Sequence, residues 1–215
     1  MNNEVREDEW NYETLFKQYF KYKNTDHYLW QIYNRRLYPI INLVKKKKKK
    51  LKILEVGFGF GHELLWVAQF GHEVHGIDVK SIFFEICSTS LKALEKVVNK
   101  KLNVNISNLN LLDLDENNKF DLIFMKDTFH HLEPREEVTS KISKLLNKNG
   151  KVIIIEPNAL NPLIQLQMFK IRGFNTVILK QDPNTGKKFI YGNERLITGK
   201  KINRIFKIHN IKSEY

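Results

Sequence analysis

Apolar and polar residues alternate along this chain with a period that changes from one stretch to the next. Over residues 8–22, Trp10, Leu15, Phe16, Tyr19 and Phe20 recur at three- and four-residue steps, which predicts an amphipathic helix. A second helix is expected from Asp26, capped by Asp26 or Thr25, through Leu29, Tyr33 and Leu37. Pro39 should kink or break it. Residues 45–50 are all lysine, too charged to pack; they read as a solvated connector, with a phosphate or membrane contact as the alternative.

From residue 51 the pattern is regular. Residues 51–56 form a short apolar run, and residues 60–70 have helical spacing closed by Gly71. A strand is expected over 73–78, then a helix over 81–99 with Ile82, Ile86, Leu91, Leu94 and Val98 on its apolar side. Further strands are expected over 104–109 and 120–125. Pro134 opens a helix through Val138, Ile142, Leu145 and Leu146, which Asn149 and Gly150 should end. Residues 152–155 read as a fully buried strand. Strands alternating with helices at this spacing predict a doubly wound α/β fold, a mostly parallel sheet with helices on both faces.

Beyond residue 161 the expected elements are a helix over 162–172, a hairpin of 176–180 with 187–191, a helix over 198–206 and a last strand over 208–215. Residues 1–50 thus form a helical extension and connector, a candidate lid. Residues 51–215 form the main domain, with 160–197 as an insertion on the substrate side.

Composition narrows the class. At 215 residues and 42% hydrophobic, the chain can bury a core without disulfides. Cys87 is its single cysteine, which excludes an internal disulfide framework and a cysteine-rich zinc site and suits a cytoplasmic setting. No apolar run approaches the roughly 20 residues of a membrane span, and the polar, acidic start resembles neither a signal nor a transit peptide. The net charge is +12, and the excess lies in residues 45–52 (+7) and 165–215 (+8), not in residues 53–164 (−3). Such segments suit nucleic acid, an anionic membrane surface or an acidic substrate, or are simply solvated lysine.

The sharpest chemical signal is Glu55-Val-Gly57-Phe58-Gly59-Phe-Gly61, on the turn from a strand into a helix. Glycines let a ligand approach the backbone closely, and the helix's amide end favours an anion. A dinucleotide fingerprint would need a further glycine where His62 stands, which counts against a nicotinamide oxidoreductase. Asp78 ends the second strand, 21 residues beyond Gly57, where a carboxylate can accept from both ribose hydroxyls. Asp113 follows the third strand and could accept from an exocyclic adenine amine.

These pieces, with Phe120-Asp-Leu-Ile-Phe124, His130-His131-Leu132, Asn149-Gly150 and Glu156-Pro-Asn158 in order, resemble the class I S-adenosylmethionine-dependent methyltransferases, in their small-molecule branch. The resemblance implies that Glu55 and the backbone of Gly57, Phe58, Gly59 and Gly61 hold the amino-acid end of S-adenosylmethionine. Asp78 would bind the ribose, with Val79 beside the adenine and Asp113 and Leu114 at its edge. Lys126 would lie near the methionine portion. Asp127 either faces the cofactor amine or satisfies a turn. Phe58 and Phe60 stand where the family carries small or polar residues. The family's sheet also ends in two more strands, of which this chain supplies one, leaving the C-terminal pair incomplete.

Methyl transfer is an in-line displacement on an activated sulfonium, so the protein chiefly positions the reactants. His130 and His131 are the candidate bases; alternatively one packs and the other caps a helix. His62, His72 and His75 have no convincing ligand spacing, so no metal is expected. The expected activity is methyl transfer to a small-molecule or lipid-like acceptor. The alternatives are an RNA methyltransferase, for which nucleic acid would be the partner, and a cofactor-binding module without activity. Peripheral membrane contact through the basic segments is compatible with the first.

Overall fold

The structure is a computed structural model that describes residues 28–46, 49–182 and 185–212, with side chains from Arg35 onward. The helix expected over 8–22 lies outside the described residues. The chain divides into two compact units at Ile41/Asn42. Helix α1 (Tyr28–Lys46) takes up the second expected helix and continues through Pro39 instead of stopping there. Proline removes one amide hydrogen bond from a helix; here that loss does not end it.

In the second unit, β1 (Lys52–Val56), β2 (Glu73–Asp78), β3 (Val104–Asn108), β4 (Phe120–Lys126) and β5 (Leu146–Ile155) form a parallel sheet in the order β3-β2-β1-β4-β5. Helices α2 (His62–Ala68), α3 (Ser81–Val98) and α4 (Arg135–Leu145) make crossovers. They cover both faces, so the central strands are apolar at consecutive positions rather than alternate ones. Ile53, Leu54, Leu122, Ile123, Phe124 and Met125 are all inaccessible to solvent. Burying a side chain of this size contributes about 1.5–3 kcal/mol. The strand order reverses between β1 and β4, and ligands of open α/β sheets bind outside the carboxyl ends of the strands at such a reversal.

Three expectations are corrected beyond this point. Residues 152–155 are half-buried, not fully buried, because β5 pairs with β4 alone among the described residues. Asn149 and Gly150 do not end α4, which stops at Leu145; they lie inside β5, where Asn149 adopts φ 68° beside a register shift between Phe120 and Leu122. Residues 208–212 form no strand. They are a turn and an irregular segment after α6 (Gly199–Lys207), with Ile211 N–H donating to Phe206 O at 3.2 Å. Phe206 and Ile211 pack on the core there.

Helix α5 (Pro162–Arg172) and the antiparallel pair β6 (Val177–Gln181) and β7 (Lys188–Gly192) stand where the helix and hairpin were expected. The pair is a separate sheet. It meets the main domain through a bridge between Leu132 and Tyr191. No helix among the described residues is long and apolar enough to cross a membrane.

Candidate functional site

The carboxyl end of β1 leads into residues 57–61, whose three glycines all have positive φ: 72° at Gly57, 52° at Gly59 and 80° at Gly61. Two are fixed by packing as well. A Cβ on Gly57 would overlap the Thr128 side chain, and one on Gly61 would overlap Cys87 Sγ. A Cβ on Gly59 would meet nothing within 4 Å, so the open side of the loop is at Gly59. The Phe58 side chain turns inward and is only 2% exposed, leaving its backbone as the part at the loop. Beneath the loop Cys87 is buried, which pushes its thiol up to about 12 and leaves it inert.

Two carboxylates flank this loop. Glu55 is 2% exposed, and its Oε2 has no hydrogen-bond partner. Burial, then the neighbouring Glu63, raises its pKa well above the usual range. Asp78 ends β2 and is 8% exposed. Its Oδ2 accepts from Gly59 N–H and its Oδ1 from Lys80 N–H, both at 3.0 Å. Burial raises its pKa, while these two amides pull it down. One carboxylate thus links the loop to the β2–α3 turn.

Val79 lines a small, open hollow with Asn108, Leu109, Asn110, Thr185, Lys187 and Phe189. The last three come from the β6–β7 hairpin. Asp113 is exposed and paired with Lys187, whereas Leu114 packs half-buried against the core. The hairpin is held here by Asp182, whose carboxylate accepts from Ser81 N–H at 2.9 Å and Ser81 Oγ–H at 3.3 Å.

At the end of β4, Lys126 Nζ lies 3.2 Å from Glu63 and 3.1 Å from Asp127, and Asp127 adopts φ 52°. Next come His130 and His131. Glu156, just past β5, accepts from Thr128 N–H and Phe129 N–H at 3.1 and 2.7 Å and from His130 Nδ1. Burial alone would lower His130, but Glu156 and Glu194 outweigh it and raise the imidazole to about 9. His131 donates from Nδ1 to Gly192 O at 2.7 Å and stacks on Tyr191. Burial, and then the charge on His130, keeps it well below the usual imidazole range.

Residues 54–152 match the family described as a methyltransferase domain. Glu55, the glycine loop, Asp78, Asp113 and the His130–His131 pair all fall inside that match. The matched segment, just under half of the chain, is thus similar to methyltransferase domains. Among curated relatives, it is 34% identical over 103 residues to phosphoethanolamine N-methyltransferase 2 of Caenorhabditis elegans, covering 47% of this chain and 23% of that protein. It is 28% identical over 116 residues to an uncharacterized methyltransferase of Schizosaccharomyces pombe, covering 51% of this chain and 40% of that one. The chain thus spans under half the length of the curated relatives it matches.

Solved structures agree on the fold. An S-adenosylmethionine-dependent methyltransferase from Methanosarcina mazei superposes with TM-score 0.62 at 21% identity, over 83% of this chain and 87% of that one. Phosphoethanolamine N-methyltransferase 2 of Haemonchus contortus, in complex with phosphomonomethylethanolamine and S-adenosylhomocysteine, superposes with TM-score 0.57 at 20% identity, over 82% and 36%.

The carboxyl end of the sheet brings together most of the residues singled out by sequence. Glu55, the loop, Asp78 and Val79 lie at neighbouring strand ends, and His130, His131, Lys126 and Asp127 follow the adjacent β4. His62, His72 and His75 do not converge: His72 bridges Leu51 N–H and Val44 O, and His75 pairs with Glu73. Missing from the sequence reading were Thr128, Asp182, Gly192 and Glu194. Three of them come from the hairpin segment, about which local spacing says nothing.

Proposed function

We propose that this chain transfers a methyl group from S-adenosylmethionine to a small-molecule acceptor. The observation that carries the reading is Glu55 Oε2, a buried carboxylate oxygen with no partner beside a glycine loop whose open side is at Gly59. Leaving such an oxygen unpaired is costly, on the order of 1–3 kcal/mol. The α-ammonium of the cofactor's methionine end would satisfy it. The donor set therefore fits the cofactor.

S-adenosylmethionine supplies an activated methyl group on a sulfonium, so the protein's work is positioning. Glu55 and the loop backbone hold the amino-acid end. Asp78 accepts from the ribose hydroxyls with the lone pairs left over from Gly59 and Lys80. Val79 and the hollow shared with the hairpin take the adenine, with Asp113 at its edge. Lys126 is held by Glu63 and Asp127, and the Asp127–Lys126 pair borders the methionine side. Leu114 supports this edge from the core.

The acceptor lies beyond β4, where His130, His131 and the end of β7 meet. His131 keeps Nε2 as the lone-pair nitrogen because Nδ1 donates to Gly192 O. The Caenorhabditis elegans relative's name points to phosphoethanolamine-type amines as the acceptors to try first. Incubation with S-adenosylmethionine and an acceptor panel of phosphorylated amines, free amines and structured RNA tests this. Methylated amine with no labelled RNA supports the reading; labelled RNA alone overturns it.

A further inference from the structure

We propose that His130, His131 and Glu194 form a binding site for a divalent transition-metal ion. Their ligand atoms all lie within 4.8 Å of one another. Glu194 presents one oxygen 3.5 Å from His130 Nε2 and the other 3.9 Å from His131 Nε2. Zinc–nitrogen and zinc–oxygen bonds are about 2.0–2.2 Å, which sets ligand atoms roughly 3–3.5 Å apart. Glu194 stands at or slightly beyond that spacing from both imidazoles, and with all three groups within 4.8 Å of one another, side-chain rotamer adjustments close the site.

The surroundings are those of ligating histidines. A metal-bound imidazole characteristically donates its other N–H to a carboxylate or a backbone carbonyl, which fixes its tautomer and aims the ligating nitrogen. Both rings do so here: His130 Nδ1 contacts the Glu156 carboxylate, and His131 Nδ1 donates to Gly192 O. Glu156 is itself held by Thr128 and Phe129 amides.

The third ligand is also built in. Glu194 adopts φ 51°, a left-handed conformation that costs energy outside glycine and persists where surrounding structure imposes it. Gly192 lets β7 come this close, since a Cβ there would overlap the His130 carbonyl. Two imidazoles and one carboxylate suit zinc and related first-row ions, and three protein ligands leave a coordination position open. The inference deepens the acceptor-site reading and rests on it for what fills that position: an oxygen of the acceptor, with water before it arrives.

The test uses the full chain stripped with a chelator and titrated with Zn²⁺ by calorimetry, then with Co²⁺ followed by visible absorption. S-adenosylhomocysteine binding is measured on the same stripped sample. One ion per chain is expected, weakened at least about tenfold in Glu194→Gln and His131→Gln and also in Glu156→Gln. His75→Gln, outside the cluster, should bind like the parent. Circular dichroism confirms that each variant is folded. Absence of saturable binding, or equal affinity in folded Glu194→Gln and His131→Gln, overturns the proposal. Retained S-adenosylhomocysteine binding in that case would leave the methyltransferase reading standing and sink the ion alone. Ion binding without S-adenosylhomocysteine binding would support the metal site and count against the cofactor reading.

Discussion

At the scale of single residues, the site is built from groups that are expensive to bury. Glu55 shows the consequence most clearly. Its pKa is raised in the folded state, so the unfolded chain loses that proton at lower pH than the folded one does. Folding stability therefore falls as pH rises above the unfolded carboxyl's value of about 4.3 and levels off past the folded one. Glu55→Gln removes the penalty. The variant should resist guanidinium better than the parent at pH 8, with the gain shrinking toward pH 4, and should bind S-adenosylmethionine more weakly. Equal stability at pH 8 would show that the buried oxygen is satisfied. A second residue-scale prediction concerns Gly61, whose φ of 80° and contact with Cys87 both oppose a side chain. Gly61→Ala should cost at least about 1–3 kcal/mol, and Cys87→Ala should recover only part of it, because the backbone strain remains. Thermal melts of the two single variants and the double variant would separate the terms.

At the scale of elements, one small hairpin ties several parts of the site together. The β6–β7 pair reaches Ser81 through Asp182, Asp113 through Lys187, and the histidine pair through Gly192 and Glu194. Asp182→Ala would remove the acceptor of Ser81 N–H and Thr185 N–H, at about 0.5–1.5 kcal/mol per hydrogen bond lost. Amide hydrogen exchange should accelerate over residues 177–192 while β1 and β4 stay protected. Uniform exchange across the molecule would contradict this placement. The elements also show what was legible beforehand. Glu55, Gly57, Gly59, Gly61 and Asp78 could be read because backbone turns and strand ends recur at fixed offsets along the chain. Glu194 and Asp182 could not, because their partners lie 64 and 101 residues away and only folding brings them near. At Pro39 the break allowed by the local rule for proline does not occur, because the helix carries the loss of one bond.

At the scale of the molecule, the five parallel strands and their order set the chemistry's location. The reversal between β1 and β4 puts Glu55, Asp78 and the histidines at one sheet edge, although they span residues 55 to 131. Strand burial misled in one place. The run Val152-Ile-Ile-Ile155 looks like a central strand, yet it pairs on one side only, so its residues are half-exposed. Apolar sequence reports what a strand is suited to, not which neighbours reach it. The central claim is that this sheet edge holds S-adenosylmethionine, and calorimetry on the purified chain tests it directly. S-adenosylmethionine and S-adenosylhomocysteine should each bind saturably at one site, and folded Asp78→Ala should lose that binding by about tenfold or more, the loss of hydrogen bonds to two ribose hydroxyls. No binding by the well-folded parent chain, or unchanged binding by Asp78→Ala, would contradict the account.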